Sequence, residues 1–243
     1  MGGILRRREL ILPSGGVDDK ALFDQYILPG FWIDGIQNTP NGHDSSATRW
    51  FNHRSADPQK DFAYNANAIV TDKYCIPNGR TNYYEVGTTS WKNMPQMGDA
   101  YSIELVVEAL SSDGGAQMVA ANRANNYGTT WISADGDGVY FSAGSDNGGV
   151  GIKASPGVHT YVATGKGKTY YKDGLPISED DVSVVSASWS TQYRAYLFYY
   201  SSNYPRPCKS KIYAMRWYAR QLTAEEVAHN YALDRIRFGS GVS

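Results

Sequence analysis

The strongest constraint on this sequence is the regular return of glycine-containing turn signals between short runs of β-favouring residues. These turn signals lie at residues 40–42, 77–79, 112–115, 135–138, 146–149 and 172–174. The runs between them are rich in β-branched and aromatic residues, and helical periodicity is almost absent until the C-terminus. Many short strands separated by glycine turns are typical of β-sandwiches and barrels rather than of βαβ units. We therefore predict an all-β fold.

The run that begins at position 101, Tyr-Ser-Ile-Glu-Leu-Val-Val-Glu, shows the clearest strand pattern. Successive side chains of a strand point to opposite faces, so we predict that Ile103, Leu105 and Val107 face the core. By the same alternation, Glu104 and Glu108 are expected to face solvent. The two glutamates would lie roughly 13 Å apart along the strand, farther than the ~5–9.5 Å between paired carboxylates in glycosidases. We therefore expect no hydrolytic pair here.

The C-terminal segment contains another strand and the clearest helix signal. In the strand at 211–218, alternation predicts three core residues: Tyr213, Met215 and Trp217. Thr223 and Glu226 then form a capping box, in which the threonine oxygen accepts from the third helical amide and the glutamate accepts from the Thr223 amide. Gly239 is predicted to end the helix, because glycine readily takes the left-handed conformation found there.

A hairpin is predicted over residues 169–177. The sequence Thr-Tyr-Tyr-Lys-Asp-Gly-Leu-Pro-Ile places Asp173 and Gly174 between two short β-favouring runs. This dipeptide favours the positive φ angles of the two-residue turns that match the twist of the flanking strands.

Charge and motif content exclude several classes of function. The chain has 23 Lys and Arg against 24 Asp and Glu, which gives no electrostatic basis for binding duplex nucleic acid or an anionic membrane. Gly167 and Lys168 resemble the end of a phosphate-binding loop, but Val162 stands where that loop needs glycine. The four histidines lack metal-ligand spacing, and we predict no cofactor. Cys75 and Cys208 are predicted to be reduced, structural thiols.

Residues 1–17 are predicted to form an arm outside a single domain at residues 18–243. The arm contains Arg6, Arg7 and Arg8 and is interrupted by glycine and proline, so it cannot form a core of its own. A solvated arm and a docking arm are both compatible with this composition, and we expect it to bind other subunits of an oligomeric assembly. The arginines are not followed by the apolar run of a signal peptide, so no export signal is expected.

Four segments carry a family resemblance. The run 211–231 contains a strand ending in tyrosine, then Arg-Gln-Leu-Thr, a Glu-Glu pair and an apolar helix. The runs 31–36, 102–107 and 159–174 supply an opening Phe-Trp-Ile-Asp-Gly-Ile, a central strand and a late hairpin. Together they resemble the laminin-G-type domains of the concanavalin A-like superfamily, over residues 22–238. The resemblance implies a two-sheet jelly-roll sandwich with one short C-terminal helix.

The resemblance also implies a function. The acidic triplet of the family's glycosidase branch is absent, so we expect a non-enzymatic structural or adhesion protein that binds glycans. Similar stand-alone proteins with an arginine-rich start occur in phage and prophage genomes. This implies a virion component, a fibre, tail or head-decoration subunit, assembled in the host cytoplasm. Two alternatives stay open: a carbohydrate-binding module of a cell-surface or secreted protein, and a polysaccharide hydrolase or lyase.

A candidate ligand site lies in the turn-rich segment between positions 125 and 137. Its residues combine aromatic rings, which cover the apolar face of a sugar, with amides and carboxylates that bind hydroxyls: Asn125, Asn126, Tyr127, Trp131, Asp135 and Asp137. Binding pockets pair apolar walls with a few polar groups in this way. The alternative is that Trp131 packs in the core and the asparagines serve turns.

Other assignments of this chemistry stay open. The aromatic partners of a sugar would otherwise be Trp91 or the tyrosines at positions 199, 200 and 204. Asp135 and Asp137 also fit a calcium ion at the rim of the domain, held together with carbonyl oxygens. The remaining ligands of a helix-loop-helix calcium motif are missing, so that motif is excluded.

Overall fold

The structure is a computed structural model that describes thirteen stretches of the chain: 19–54, 62–63, 69–76, 84–85, 101–110, 118–124, 127–134, 138–142, 149–164, 169–178, 182–185, 195–197 and 209–241. The predicted arm at residues 1–17 lies outside these residues, as does Cys208. The arm and its docking role therefore stay predictions.

Two helices frame the described strands. The elements in chain order are α1 (Asp19–Phe23), β1 (Phe31–Asp34), β2 (Arg49–Trp50), β3 (Phe62–Ala63), β4 (Ile69–Val70), β5 (Cys75–Ile76), β6 (Tyr84–Glu85), β7 (Ser102–Glu108), β8 (Met118–Ala124), β9 (Tyr127–Ala134), β10 (Gly138–Ser142), β11 (Gly149–Lys153), β12 (Val158–Thr164), β13 (Thr169–Lys172), β14 (Leu175–Pro176), β15 (Val182–Val185), β16 (Ala195–Leu197), β17 (Lys211–Tyr218) and α2 (Ala224–Phe238). The short helix α1 was not predicted. None of the described helices is long and apolar enough to cross a membrane.

Within the described residues the strands form two large antiparallel sheets. An eight-stranded sheet has the order β14-β13-β12-β7-β17-β5-β4, and β1 also pairs with β17. A seven-stranded sheet has the order β15-β11-β10-β9-β8-β16-β6, and β2 pairs with β3 apart from both. The fold is thus mostly β with antiparallel sheets, as the turn pattern predicted, and it has the C-terminal helix that the capping box predicted.

The main core contains side chains from both large sheets. Ile103, Leu105 and Val107 of β7 are fully buried in one apolar cluster, which confirms their predicted orientation. The same cluster includes Val139 of β10 and Ile152 of β11. Removing these apolar side chains from water on one face of each sheet is the main stabilising term for such a layered fold.

Strand β17 follows its predicted alternation at two of three positions. Met215 and Trp217 lie in the main core, as predicted. The prediction for Tyr213 is wrong, because this ring packs with Phe238 and Val106 on the opposite face of the sheet. The register of β17 against β7 shifts between Ile212 and Ala214. An extra residue in one strand reverses which side chains point to which face, and alternation alone does not reveal it.

The predicted exposure of Glu104 is also wrong. This side chain is fully buried, because helix α2 covers the face of β7 on which it lies. Glu108, at the end of the strand, is partly exposed and pairs with Lys211 at 2.8 Å. Alternation identified the face correctly but did not show that a helix covers it.

The two local turn predictions are confirmed. Asp173 and Gly174 have φ angles of 51° and 75° and join β13 to β14. At helix α2, the Thr223 side chain accepts from the Glu226 amide at 3.2 Å, and the Glu226 carboxylate accepts from the Thr223 amide at 3.0 Å. Gly239 ends the helix with a φ of 73°.

Candidate functional site

Helix α2 places a row of polar side chains against the outer face of the eight-stranded sheet. Asn230, Asp234 and Arg237 are spaced by four and three residues, so they lie on one side of the helix. All three are buried, together with Val227 and Leu233 of the same helix. The helix therefore contributes amide, carboxylate and guanidinium groups to an interface that would ordinarily be apolar.

Arg216 of β17 is the centre of this interface. Its Nε lies 3.0 Å from Glu104 Oε2, and its Nη2 donates to Asp234 Oδ1 at 2.5 Å. Arg216 and Glu104 are direct cross-strand partners on β17 and β7. All three side chains have no exposed surface. One guanidinium thus lies between two carboxylates, in a region from which water is excluded.

The Glu104 carboxylate has further donors on the same oxygen. Oε2 accepts from Asn230 Nδ2 at 2.9 Å and from the Tyr218 hydroxyl at 3.1 Å. Burial raises the pKa of Glu104 to about 7, and the negative charge of Asp234 adds to this shift, although the positive charge of Arg216 opposes it. Glu104 is therefore a carboxyl group that binds a proton close to neutral pH.

Asp234 is held by donors from β12, from β17 and from the segment between α1 and β1. Its carboxylate accepts from the Tyr26 hydroxyl at 2.6 Å and from Thr160 Oγ1 at 3.0 Å, besides Arg216. The Thr160 hydroxyl also bonds Ser240 Oγ at 2.8 Å. Burial raises the pKa of Asp234, and the Arg216 charge opposes that rise.

Arg237 forms a second ion-pair group beside the first. It donates to both oxygens of Asp34 on β1, at 2.7 and 3.0 Å, and to both oxygens of Asp19 on α1, at 2.7 and 3.1 Å. Burial alone would raise the pKa of Asp34, but the charge and hydrogen bonds of Arg237 outweigh it and lower the pKa. Bidentate pairing of this kind fixes geometry as well as charge.

The two groups, which we call the helix network, link α1, β1, β7, β12, β17 and α2. Perturbed carboxyl groups in a cluster are a general signal of catalytic sites. Here Glu104, Asp234 and Arg216 have no exposed surface, and a reacting group must be reachable by its substrate. The arrangement therefore holds the two helices on the sheet.

Sequence reasoning missed the helix network, although a signal for it was present. On the outer face of β7, Glu104 shares its side with Ser102 and Val106, and on β17 Arg216 shares its side with Ala214. A strand face that mixes apolar residues with one charge is typical of a covered face rather than a solvated one. The opposite charges of Glu104 and Arg216 are the pair that such a covered face requires.

The predicted sugar site maps onto strand β9. Tyr127 is the first residue of β9, and Trp131 lies four positions later, opposite Ala121 of β8 and Ser142 of β10. Trp131 is therefore on a strand with a neighbour on either side. The other predicted residues lie outside the described part of the chain: Asn125, Asn126, Asp135 and Asp137. The site as a whole stays a prediction.

Metal binding was predicted only as an alternative at Asp135 and Asp137, which the structure does not describe. Among the residues that it does describe, no group of three or more His, Cys, Asp or Glu side chains is arranged to hold a metal ion. The calcium alternative therefore stays a prediction.

Comparison with solved structures identifies proteins of similar fold. A sialidase of Trypanosoma rangeli in complex with sialic acid matches with a TM-score of 0.54 and 13% identity, over 85% of this chain and 33% of the sialidase. The binding domain of botulinum neurotoxin serotype G matches with a TM-score of 0.58 and 10% identity, over 85% of this chain and 51% of that domain. At such identities the likeness is one of fold. No protein-family model and no curated protein matches the chain.

The prediction that the chain is not an enzyme is contradicted by this comparison. It treated a lectin-like fold without one particular acidic triplet as the sign of a pure binding protein. The similar structures include sialidases, and one of these is a mutant that displays trans-sialidase activity. The chain spans about a third of the length of these enzymes. A fold shared with part of a glycosidase gives no ground for excluding catalysis.

Proposed function

We propose that this chain is a glycan-recognition domain with the two-sheet jelly-roll arrangement of the concanavalin A-like superfamily. The observation that carries the proposal is the fold likeness over 85% of the chain to a sialidase in complex with sialic acid and to a toxin binding domain. The laminin-G-type closing motif at residues 211–231 supports the same superfamily. The shared apolar cluster between the two large sheets is what a jelly-roll sandwich requires.

The proposed ligand is a carbohydrate, and the proposed contact region is the segment of β9 with its flanking residues. Tyr127 and Trp131 supply ring faces, and Asn125 and Asn126 supply amide groups next to Tyr127 in the chain. Rings that cover the apolar face of a pyranose, beside groups that fix its hydroxyls, are the general chemistry of such sites. The strand is paired on either side, which gives the ring positions a fixed backbone.

The proposed setting is a particle or assembly to which the domain is attached. In this proposal residues 1–17 dock onto other subunits, and residues 18–243 form the glycan-binding unit. A virion subunit combines both roles, and detection of the chain by mass spectrometry in purified virions tests that setting. Deleting residues 1–17 should leave glycan binding unchanged and reduce assembly. Loss of folding in the deletion variant would refute the division into arm and domain.

The test of glycan recognition is a glycan array that contains sialylated and neutral oligosaccharides, followed by titration of any bound glycan. The double variant Tyr127→Ala with Asn126→Ala should lose binding while its melting temperature stays within about 2 °C of the wild type. Lys20→Ala is the matched control, because Lys20 is exposed on α1 and forms an exposed salt bridge with Asp24, outside β9.

Three outcomes decide the proposal. Binding that is lost in the double variant and kept in the control supports it. Equal binding by both variants refutes the β9 site, and no binding to any array glycan refutes glycan recognition. Mass spectrometry of the bound glycan after incubation shows whether the protein also processes its ligand, since a hydrolase would release a shortened product.

A further inference from the structure

Both ring nitrogens of His159 lie within hydrogen-bond distance of an acceptor atom. Its Nδ1 lies 2.7 Å from Asp173 Oδ2, and its Nε2 lies 2.8 Å from the carbonyl oxygen of Pro156. A carboxylate and a carbonyl oxygen are both acceptors. A ring nitrogen bonds to an acceptor only when it carries a proton, and a neutral imidazole carries one proton in total. Both bonds form together only in the imidazolium ion.

One of these bonds reaches the connection between the two large sheets. Residues 154–157, here called the crossover loop, join β11 of the seven-stranded sheet to β12 of the eight-stranded sheet. The loop is also held at Ser155, whose amide donates to the Tyr161 hydroxyl at 3.2 Å and whose hydroxyl accepts from Lys172 Nζ. His159 is thus one of three side chains of β12 and β13 that hold the crossover loop.

The other bond reaches an acceptor that is itself fixed. Asp173 Oδ1 accepts from the Thr160 amide at 3.1 Å, and the Asp173 amide donates to the Thr160 carbonyl at 2.8 Å. Gly174 follows in the turn and lies directly against the Tyr231 ring of α2, where a Cβ atom would come within 2.8 Å of that ring. The turn therefore cannot move freely toward or away from His159.

We propose that His159 is a proton-operated clamp: its imidazolium ion holds the crossover loop to the turn at Asp173, and loss of one proton loosens the loop at Pro156, while Tyr161 and Lys172 still hold Ser155. The neutral ring keeps its remaining proton on Nδ1, because a hydrogen bond to a charged acceptor is the stronger one. Nε2 then presents a lone pair to the Pro156 carbonyl oxygen. That contact changes from attractive to repulsive, so the crossover loop moves away at Pro156 while the turn stays in place.

The groups around His159 favour the charged form of the ring. The hydrogen bond to Asp173 raises the pKa of His159 above its ordinary value, against the effects of burial and of the positive charge of Lys172. Burial raises the pKa of Tyr161 to about 12, so this phenol stays protonated while the histidine titrates. Tyr231 of α2, whose pKa is raised by burial, is likewise neutral there. His53 contrasts with His159, since burial lowers its pKa.

The experiment is a pH titration of the full ¹⁵N-labelled chain, with NMR detection of the histidine ring nitrogens. Hydrogen exchange of the crossover loop is measured by mass spectrometry over the same range and normalised to an unstructured peptide of the same sequence. We expect both His159 nitrogens to be protonated below the midpoint of the titration, which should lie above the ordinary value of about 6.5. Protection of the crossover-loop amides from exchange should fall about five- to tenfold as the pH rises through that midpoint, which is the effect of one lost hydrogen bond.

The matched variant is Asp173→Asn, because asparagine tolerates the φ of 51° at this turn and keeps an oxygen acceptor without the charge. It should lower the His159 midpoint and shift the loss of loop protection with it. The His53 midpoint should not move, since the pKa of His53 depends on burial and on Asp34, Gln37 and Arg237 rather than on Asp173. His159→Gln should abolish the pH step in loop protection.

A His159 midpoint at or below the ordinary value would overturn the clamp. So would loop protection that is independent of pH in the wild type, or an unchanged midpoint in Asp173→Asn.

Discussion

One face of the eight-stranded sheet shares a cluster of aliphatic and aromatic side chains with the second sheet, whereas its outer face meets helix α2 with buried charged groups set among apolar ones. The two faces belong to the same strands, since Ile103 and Leu105 alternate with Glu104 along β7. Both sets are fully buried. The comparison shows that burial in this fold is achieved by two different chemistries on opposite sides of a single strand.

The two chemistries place different demands on the sequence. An apolar face tolerates many substitutions of similar volume, because its stability depends on area and packing. A charged face depends on complete pairing, because an unpaired buried charge costs several kcal/mol. Glu104 Oε1 and Arg216 Nη1 have no hydrogen-bond partner among the described residues. Pairing on the outer face is thus already incomplete at these two atoms, and we expect the loss of a further partner to be costly.

The largest expected effect is that of Arg216→Met, which removes the central cation and leaves two buried carboxylates together. We expect the free energy of unfolding to fall by about 4–5 kcal/mol, as measured for broken buried ion pairs. Urea denaturation at neutral pH measures the loss.

The triple variant with Arg216→Met, Glu104→Gln and Asp234→Asn is the control for Arg216→Met. It removes the carboxylate charges as well, so it should recover at least half of the lost stability. A triple variant as unstable as the single one would mean that lost packing, and not unpaired charge, accounts for the cost. The contrast between the two faces would then disappear.

The next effect is that of Leu105→Ala on the inner face. Truncating a fully buried leucine leaves a cavity, and we expect a loss of about 3 kcal/mol. The loss should be the same at pH 5 and pH 7, since burial raises the pKa of Tyr161 and Tyr170 in this cluster and keeps them neutral over that range. A loss that depends strongly on pH would show that the inner face is coupled to the helix network.

The sequence predicted the features that depend on neighbours in the chain. Alternation assigned Ile103, Leu105 and Val107 to one face, and the Asp173-Gly174 turn and the Thr223 capping box are local signals of two to four residues. The covering of Glu104 by α2 was not predictable in this way, because it depends on a contact with Asn230, 126 positions away. The orientation of Tyr213 was not predictable for a different reason. A shift in the register of two strands leaves no sign in the alternation of residues along one strand.

The sequence predicted which segment of the chain carries the candidate sugar site, but it did not predict the geometry of that site. Tyr127 and Trp131 were recognised as aromatic residues in a turn-rich segment, and the structure places both on a strand. Composition shows that a segment has the chemistry for sugars, but the approach of its rings and amides depends on how neighbouring strands present them. The prediction about enzymatic activity failed because it used a single motif, whereas one fold supports many chemistries.

The pH dependence of stability separates the two faces further. The pKa of Glu104 in the folded chain is about 7, above its ordinary value of 4.5. A carboxyl group whose folded pKa is raised stabilises the fold below its unfolded pKa and loses that contribution as pH rises through the folded pKa. From pH 5 to pH 7 the wild type should therefore lose about 2 kcal/mol that Glu104→Gln does not lose.

Paired urea titrations of the wild type and Glu104→Gln measure this difference. His159 is present in both proteins, so its own titration cancels, and the lowered pKa of Asp34 places its contribution at more acidic pH. Parallel stability curves for the two proteins would contradict a raised pKa at Glu104.

The smallest expected effect is that of Thr223→Ala, which removes the cap of the helix that covers the charged face. The Thr223 oxygen accepts from the Glu226 amide, and Glu226 pairs in turn with Arg220 at 2.7 Å. We expect a loss of about 1 kcal/mol, and Thr223→Ser should restore nearly all of it because serine caps as well as threonine. Hydrogen exchange along α2 gives the second measurement: the first turn of the helix should lose protection, while residues near Asp234 keep theirs. Equal loss of protection along the whole helix would show that the cap, and not the helix network, holds α2 on the sheet. The buried ion pairs of the outer face would then contribute less to stability than the cap does.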